Sequence, residues 1–374
     1  MKQCPGANPP ALAFLAGELN RLDAEGLLRS ALPPGAGGIS FCSNDYLGLG
    51  ARRVALGAPA GAGASRLVSG NTVEHEALEA ALARWLETES ALVFTSGYAA
   101  NVGLLSAVAR PGDLIVSDAL NHASIIDGAR LSRARVEIVP HGDVQATERA
   151  LRARTEDRAW VVTESYFSMD ADTPDLVALR AICDATGAAL IVDEAHALGA
   201  LGPEGRGLCA AAGIVPDALV GTFGKALGGG GAFVAGPADL RRWLWNKARS
   251  FVFSTGLSPV VAAANTQAVL QVRGDEEVRA RLAARAAQLR AGLTALGVRA
   301  LGVGHVVPWV VGDARAAVRI AGALRERGLQ VQAIRPPSVP TGTARLRLTV
   351  SALHTEADVA QLLQTIAEVL PCEG

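Results

Sequence analysis

An α/β protein, with a mostly parallel seven-stranded sheet covered by helices, is expected from three features of this 374-residue chain. Seven short apolar runs recur between residues 91 and 235. Most are separated by segments whose apolar residues repeat at helical spacing. The runs also lack the polar alternation of a sheet with one wet face, so the strands are buried on both sides, as crossover helices make them.

Residues 1–42 read as one helical stretch and a Pro/Gly-rich turn, set against the C-terminal unit. A larger domain, 43–258, then holds the sheet. Its first helix covers Val73 to Leu86, opened by Asn71 with Glu74 three residues on, a helix-start pattern. The expected strands are Ala91 to Phe94, Leu114 to Ser117, Val136 to Val139, Trp160 to Thr163, Ala189 to Val192, Ala218 to Thr222 and Ala232 to Ala235. Helices are expected over Ala99 to Ala109, Ser124 to Leu131, Val144 to Ala153 and Leu176 to Thr186. Residues 237–296 read as all-helical, with Asp275 to Leu296 long and arginine-rich on one face. After Gly297 come a strand (Val306 to Val311), a helix (Ala314 to Arg327), two strands (Gln330 to Ile334, Ala344 to Val350) and a helix (Thr355 to Leu370). With its helical connection this smaller α+β unit forms the domain 259–374.

Half of the residues are hydrophobic and 19% are charged, which excludes a disordered tail or a disulfide-stapled miniprotein. The formal net charge of −1 offers no basic field, so neither nucleic acid nor an anionic membrane surface is an expected partner. Cys4, Cys42, Cys183, Cys209 and Cys372 are odd in number and scattered without a CxxC pair, which fits a reducing cytoplasm; no metal site is expected. The apolar run Ala11 to Ala16 is too short for a secretory signal, and no run is long enough to span a bilayer.

Three of the 35 basic residues are lysine: Lys2, Lys225 and Lys247. A guanidinium forms no imine and an ε-amine does, so a lysine retained in so arginine-biased a chain has a chemical reason to be there. Lys2 is terminal and Lys247 lies in a charged segment. Lys225 follows an apolar strand in Thr222-Phe223-Gly224-Lys225, ahead of the glycines Gly228 to Gly231. Such surroundings lower its pKa and free the neutral amine.

Asp193, Glu194 and His196 follow another strand, where open α/β sheets keep their ligands. Thr95 to Asn101 joins a strand to a helix through small residues that leave backbone N–H groups free for a phosphate. His122 opens another helix, placed to stack on an aromatic ring, and the hydroxyls of Thr163 to Asp170 leave a further strand. An amine, a strand-end carboxylate and a phosphate cradle together suit pyridoxal 5′-phosphate. Two other glycine motifs fail. Gly61 to Arg66 has Arg66 at its sixth position and no preceding strand, and Gly224-Lys225 is followed by Ala226 rather than Ser or Thr.

From about Asn44-Asp45-Tyr46-Leu47-Gly48-Leu49 to the C-terminal helix, the chain resembles the α-oxoamine synthase family of pyridoxal-phosphate enzymes, which has the fold-type I aminotransferase architecture. Gly63 to Gly70, Val192 to His196 and Thr222 to Lys225 carry the likeness. It implies that Lys225 holds the cofactor and acts as base at Cα, and that Asp193 pairs with the pyridine nitrogen. His196 and Ser168 would bind near the cofactor's phenolic oxygen, and His122 would stack on the ring and face the substrate. Gly97, Tyr98 and Thr222 would take the phosphate. Beside Ser254, Thr255 from the partner subunit of a homodimer would complete that site. Arg347 would grip the amino-acid carboxylate, with Arg29 and Ser338 as further substrate contacts.

The stretches Ala333 to Pro340 and Gly342 to Thr349 resemble the branch that condenses L-alanine with a pimeloyl thioester in biotin synthesis. The thioester would ride on coenzyme A or an acyl carrier protein, and Arg241, Arg242 and Arg249 would suit an acidic carrier. Glycine C-acetyltransferase and 5-aminolevulinate synthase are the sister alternatives. A non-catalytic protein of this fold would be expected to lose Lys225 or Asp193, and both are present.

Overall fold

The structure is a computed structural model that describes residues 12, 14–28, 37–53 and 57–370. Strand β1 (Ile39–Ser40) precedes the strands of the main sheet, β2 (Ser90–Phe94), β3 (Leu114–Asp118), β4 (Arg135–Val139), β5 (Ala159–Glu164), β6 (Ala189–Asp193), β7 (Ala218–Thr222) and β8 (Ala232–Gly236). The main sheet runs in the order β2-β8-β7-β6-β5-β3-β4, parallel throughout except that β8 is antiparallel to both neighbours. Side chains alternate between the faces, and each face is covered: on β2, Leu92 and Phe94 enter one core while Ala91 and Val93 enter the other. The expected strands therefore form, each within a residue of its expected ends. The small differences matter, because Asp118, Glu164 and Asp193 are the last residues of their strands rather than loop residues. As sequence, an apolar run stops at its first carboxylate, but the backbone ladder continues, pairing Glu164 with Asp193.

Helices Gly97–Val108, Ala123–Ser132, Val144–Ala153 and Leu176–Thr186 connect these strands. Asp143 and Asp175 cap the last two by accepting from the N–H groups of Ala146 and Ala178 at 2.8 and 2.9 Å. The helix Val73–Leu86 has the expected bounds but a different cap. Thr72 takes that position, its N–H donating to His75 Nδ1 at 3.2 Å, because the Asn71 amide oxygen already accepts two hydrogen bonds from Arg66, at 2.9 and 2.7 Å.

The smaller sheet is antiparallel, ordered β11 (Gln332–Ile334), β12 (Ala344–Thr349), β9 (Val306–Gly312), and is backed by helices Ala314–Glu326 and Glu356–Val369. The single strand expected over Gln330 to Ile334 is broken at Val331. Before the break, β10 (Leu329–Gln330) runs parallel to β1; after it, β11 pairs with β12. One chain segment thus serves two sheets, which a pattern of apolar residues does not encode. Ala24 and Gly26 at the amino-terminal end offer their carbonyls to Arg315 and Arg335. Among the described residues, no helix is long and apolar enough to cross a membrane.

Arg66, the residue that spoiled the dinucleotide motif, lies buried in an ionic cluster. Glu79 accepts from Arg66, from the Val93 N–H at 2.9 Å and from Arg241 at 2.7 Å, and the Arg66 guanidinium lies 5.0 Å from the centre of the Trp245 ring. Removing one member of a buried cluster leaves the others charged and unsatisfied. Glu79→Leu is expected to cost about 3–5 kcal/mol of unfolding free energy in urea; a loss below about 1 kcal/mol would show that Arg66 finds another partner.

Candidate active site

The site is assembled at the carboxyl ends of the strands. Past β7 the chain turns back on itself, Phe223 N–H donating to Gly231 O at 3.0 Å and Gly228 N–H to Lys225 O at 2.9 Å. Gly228 has φ +61°, and a Cβ there would fall 2.3 Å from the Leu49 carbonyl carbon, so this turn requires glycine. Phe223, Ala226 and Leu227 are buried beneath it and fix where Lys225 projects. Burial pulls the Lys225 amine down to about 8, outweighing the opposing pull of Asp193 and Glu164. Among the described residues its amine has no hydrogen bond or ion pair. It is therefore a lysine available as a nucleophile and base near neutral pH.

Asp193, at the end of β6, accepts from the Ala195 N–H at 2.8 Å and from the Asn101 amide at 2.7 Å. That amide also donates to Ser124 Oγ at 3.0 Å, and Ser124 Oγ lies 2.8 Å from His122 Nδ1. The Ser124 N–H donates to the same ring nitrogen at 3.2 Å. His122 Nδ1 is thus an acceptor, and the proton of the neutral ring sits on Nε2. Burial holds the ring neutral, with the Lys225 charge acting in the same sense and Asp193 against it. Glu164 accepts from the His122 N–H at 2.8 Å, and burial, helped by nearby Asp193, pushes its carboxyl up to about 8.

Asn101, Ser124 and Glu164 were not among the expected site residues. Their signal is faint: a polar residue on the buried face of an apolar helix, a serine in the first turn of another, and a strand-end acid. By contrast Glu194 faces away from the site. It accepts from Ser165 Oγ at 2.7 Å and from the N–H groups of Leu208 and Cys209 at 3.0 and 2.6 Å, a structural role.

On the other side, His196 Nδ1 lies 2.6 Å from the Tyr46 hydroxyl, and burial keeps the ring neutral. Arg347 on β12 donates to Ser168 O at 2.7 Å, to Asn44 Oδ1 at 3.0 Å and to the Tyr46 hydroxyl at 3.3 Å. Every one of these acceptors is neutral, and among the described residues no carboxylate pairs with this buried guanidinium. Arg345, two residues earlier on the same face, is neutralised by Asp170 at 2.7 Å. A buried cation with neutral partners is a site prepared for an anion. It lies near enough to Lys225 to help lower the amine's pKa.

Gly97 begins its helix with an open side, since a Cβ there would meet only Thr222, at 4.0 Å. Thr222 Oγ1 donates to Gly231 O at 3.1 Å and accepts from the Gly224 N–H at 3.2 Å. Tyr98 is half exposed, its hydroxyl bonded to Asp127. Ser168 offers Arg347 its carbonyl, while its hydroxyl makes no hydrogen bond among the described residues. Ser338 stands at the exposed rim of a small cleft shared with Leu120, Phe167, Ser168 and Met169. Thr255 is exposed, and lines a separate cleft with Thr95 and Arg66 of its own chain. Arg29 lies outside the described residues.

A neutral-poised amine, a buried strand-end carboxylate, an imidazole and a helix N-terminus beside a threonine hydroxyl form the donor set that pyridoxal phosphate requires, and the open side of Gly97 leaves room for its phosphate. The residues present fit that cofactor.

The family model for aminotransferase class I and II matches residues 36–366. The 8-amino-7-oxononanoate synthase of Mycolicibacterium smegmatis is 48% identical over 373 residues, covering 96% of this chain and 97% of that protein. That of Geobacter sulfurreducens is 44% identical, covering 95% and 97%. Among solved structures, a serine palmitoyltransferase variant from S. paucimobilis with a bound pyridoxal phosphate–myriocin adduct has a TM-score of 0.88 at 29% identity, covering 96% of this chain and 97% of its own. The 8-amino-7-oxononanoate synthase of Francisella tularensis has a TM-score of 0.75 at 26% identity, covering 88% and 97%. With the fold, the lysine and the arginine all in place, the chain belongs to the aminotransferase class I and II family, among the fold-type I pyridoxal-phosphate enzymes named 8-amino-7-oxononanoate synthase.

Proposed function

We propose that this protein condenses L-alanine with a pimeloyl thioester, giving 8-amino-7-oxononanoate, carbon dioxide and the free thiol, a step of biotin synthesis. The observation that carries the reading is the pairing of Lys225, whose amine titrates near 8, with Arg347, a buried cation whose described partners are all neutral. The name that the relatives carry, 8-amino-7-oxononanoate synthase, supports the alanine and pimeloyl branch over its sisters.

Arg347 takes the alanine carboxylate in a fork of two N–H donors, which fixes the orientation of Cα. The neutral Lys225 amine removes the proton from Cα. Lys225 and Asp193 would hold pyridoxal phosphate until the amine of alanine takes the lysine's place and frees it, and the cofactor would supply the sink for the electron pair left at Cα. Asn101 holds the Asp193 carboxylate in place, and Ser124 holds His122 with its Nε2–H free to donate. A carbon–carbon bond then forms from Cα to the thioester carbonyl carbon and the carbon–sulfur bond breaks, releasing thiolate. The bond from Cα to its carboxylate breaks next, carbon dioxide leaves, and a proton from the Lys225 ammonium takes its place. Loss of a gas makes the sequence irreversible.

The same proposal includes a cytoplasmic homodimer in which Thr255 of one protomer completes the phosphate site of the other, with Gly97 and Thr222. As to the carrier, Arg241 is committed to Glu79, Arg242 pairs with Asp239 at 3.2 Å, and Arg249 stacks on Phe253 at 4.8 Å. Arg241 is thus spent on a buried carboxylate, whereas Arg242, in a solvent-exposed pair, and the exposed Arg249 remain open to an acidic carrier.

The test is carbon dioxide release from the cofactor-loaded enzyme with alanine, glycine or serine, each against pimeloyl, acetyl, succinyl and palmitoyl thioesters of coenzyme A and of an acyl carrier protein. Alanine with the pimeloyl donor is expected to exceed every other pair by at least about tenfold in kcat/KM. Preferred turnover of glycine with acetyl or succinyl donors would move the chain to a sister branch.

A further inference from the structure

Three neighbouring strand ends, those of β4, β3 and β5, each send one residue into an ion bridge that the reaction above does not use. His141 follows β4. Its Nδ1 lies 2.9 and 3.1 Å from the two carboxylate oxygens of Asp118, the last residue of β3, and its Nε2 lies 2.9 Å from Asp172 in the loop after β5. A neutral imidazole carries a single N–H, so a ring with carboxylates on both nitrogens is an imidazolium. These two bonds push its pKa up to about 10.

Each carboxylate organises a different wall of the site. Asp118 accepts from the Leu120 N–H at 2.8 Å and the Gly142 N–H at 2.9 Å, which sets the turn that delivers His122. Asp172 closes the other loop: its carbonyl accepts from the Phe167 N–H at 3.0 Å, and Phe167 O accepts from the Ala171 N–H at 2.8 Å. The closed loop presents Ser168 O to Arg347 and Met169 O to Arg345, each at 2.7 Å. The Phe167 ring meets His141 edge-on at 4.4 Å.

We infer that His141 is a positioning residue for the amino-acid substrate, tying the turn that carries His122 to the loop whose Ser168 carbonyl aims the Arg347 guanidinium. The inference rests on the reading of Arg347 as the carboxylate anchor. It separates aim from chemistry, since His141 touches none of Lys225, Asp193 or the reacting atoms.

Two variants test it. His141→Phe keeps the aromatic edge and removes both ion pairs; Asp172→Asn keeps an acceptor for Nε2–H and removes one charge. In the cofactor-loaded enzyme, His141→Phe is expected to raise KM for alanine by about tenfold with kcat within about threefold, and KM for the acyl thioester unmoved. Asp172→Asn is expected to give the same split at smaller amplitude, and it stands alone should the histidine variant fail to fold. In the cofactor-free protein, amide exchange at Phe167 and Ala171 is expected to quicken by about tenfold while that of β6 is unchanged. Faster exchange with an unmoved alanine KM would make the bridge a structural brace only and overturn the inference. Unchanged exchange would overturn it as well. Absence of alanine turnover in the wild-type enzyme would overturn the reading of the reaction, and this inference with it.

Discussion

Lys225→Ala is expected to abolish the yellow, borohydride-reducible absorbance of the protein mixed with pyridoxal phosphate, and to lower turnover by about 10⁴-fold. The argument is chemical. None of the arginines nearby forms a covalent link to an aldehyde, and Lys225 is the lysine at the strand ends. The pH dependence of cofactor capture carries a second check. Capture needs the neutral amine, and burial has lowered the Lys225 pKa to about 8 against the pull of Asp193 and Glu164. Below that value the amine is protonated and capture is slow; above it the neutral form dominates and the rate levels off. Mixing cofactor-free protein with pyridoxal phosphate across about pH 6–10 is expected to show a rise centred near 8, well below that of an exposed lysine. Undiminished reducible absorbance in the alanine variant would sink the assignment.

Arg347→Leu is expected to raise KM for alanine by about 100-fold, the equivalent of about 3 kcal/mol for a lost charge-assisted fork. Arg347→Lys is expected to recover part of this, since an ammonium keeps the charge without the fork. Stability is expected to move the other way. Arg347 is a buried charge with neutral partners, so an apolar replacement removes a desolvation cost, and the melting temperature is expected to hold or rise. Arg345→Leu is the control, because it strips Asp170 of its ion pair. That change is expected to lower the melting temperature while leaving alanine KM near wild type. An alanine KM within about threefold of wild type in Arg347→Leu would remove the arginine from substrate binding.

The main sheet was legible because its strands are apolar on both faces and its connections are helical. Lys225, Asp193 and His196 were legible because each closes or follows such a strand, where a polar residue stands out. The link from Asp193 through Asn101 and Ser124 to His122 was not. Asn101 and Asp193 stand 92 positions apart, and only the sheet order and the packing of helix Gly97–Val108 bring them together. Thr72 displaced Asn71 as helix cap because Arg66, five residues earlier, had claimed the asparagine. The break at Val331 escaped notice because both halves are extended and apolar, and only their partners differ.

Arg347 bonds to Asn44 across 303 positions of sequence, and β1, just before Asn44, pairs with β10 near the other end of the chain. The Arg347 side of the candidate site therefore closes a loop that spans most of the polypeptide. During synthesis, the strands around Asp193 and Lys225 emerge early enough to fold, but Asn44 and Tyr46 wait until residue 347 has left the ribosome. Chains stalled or cut before that point would display an exposed apolar flank where β12 belongs, a natural mark for chaperone capture and degradation.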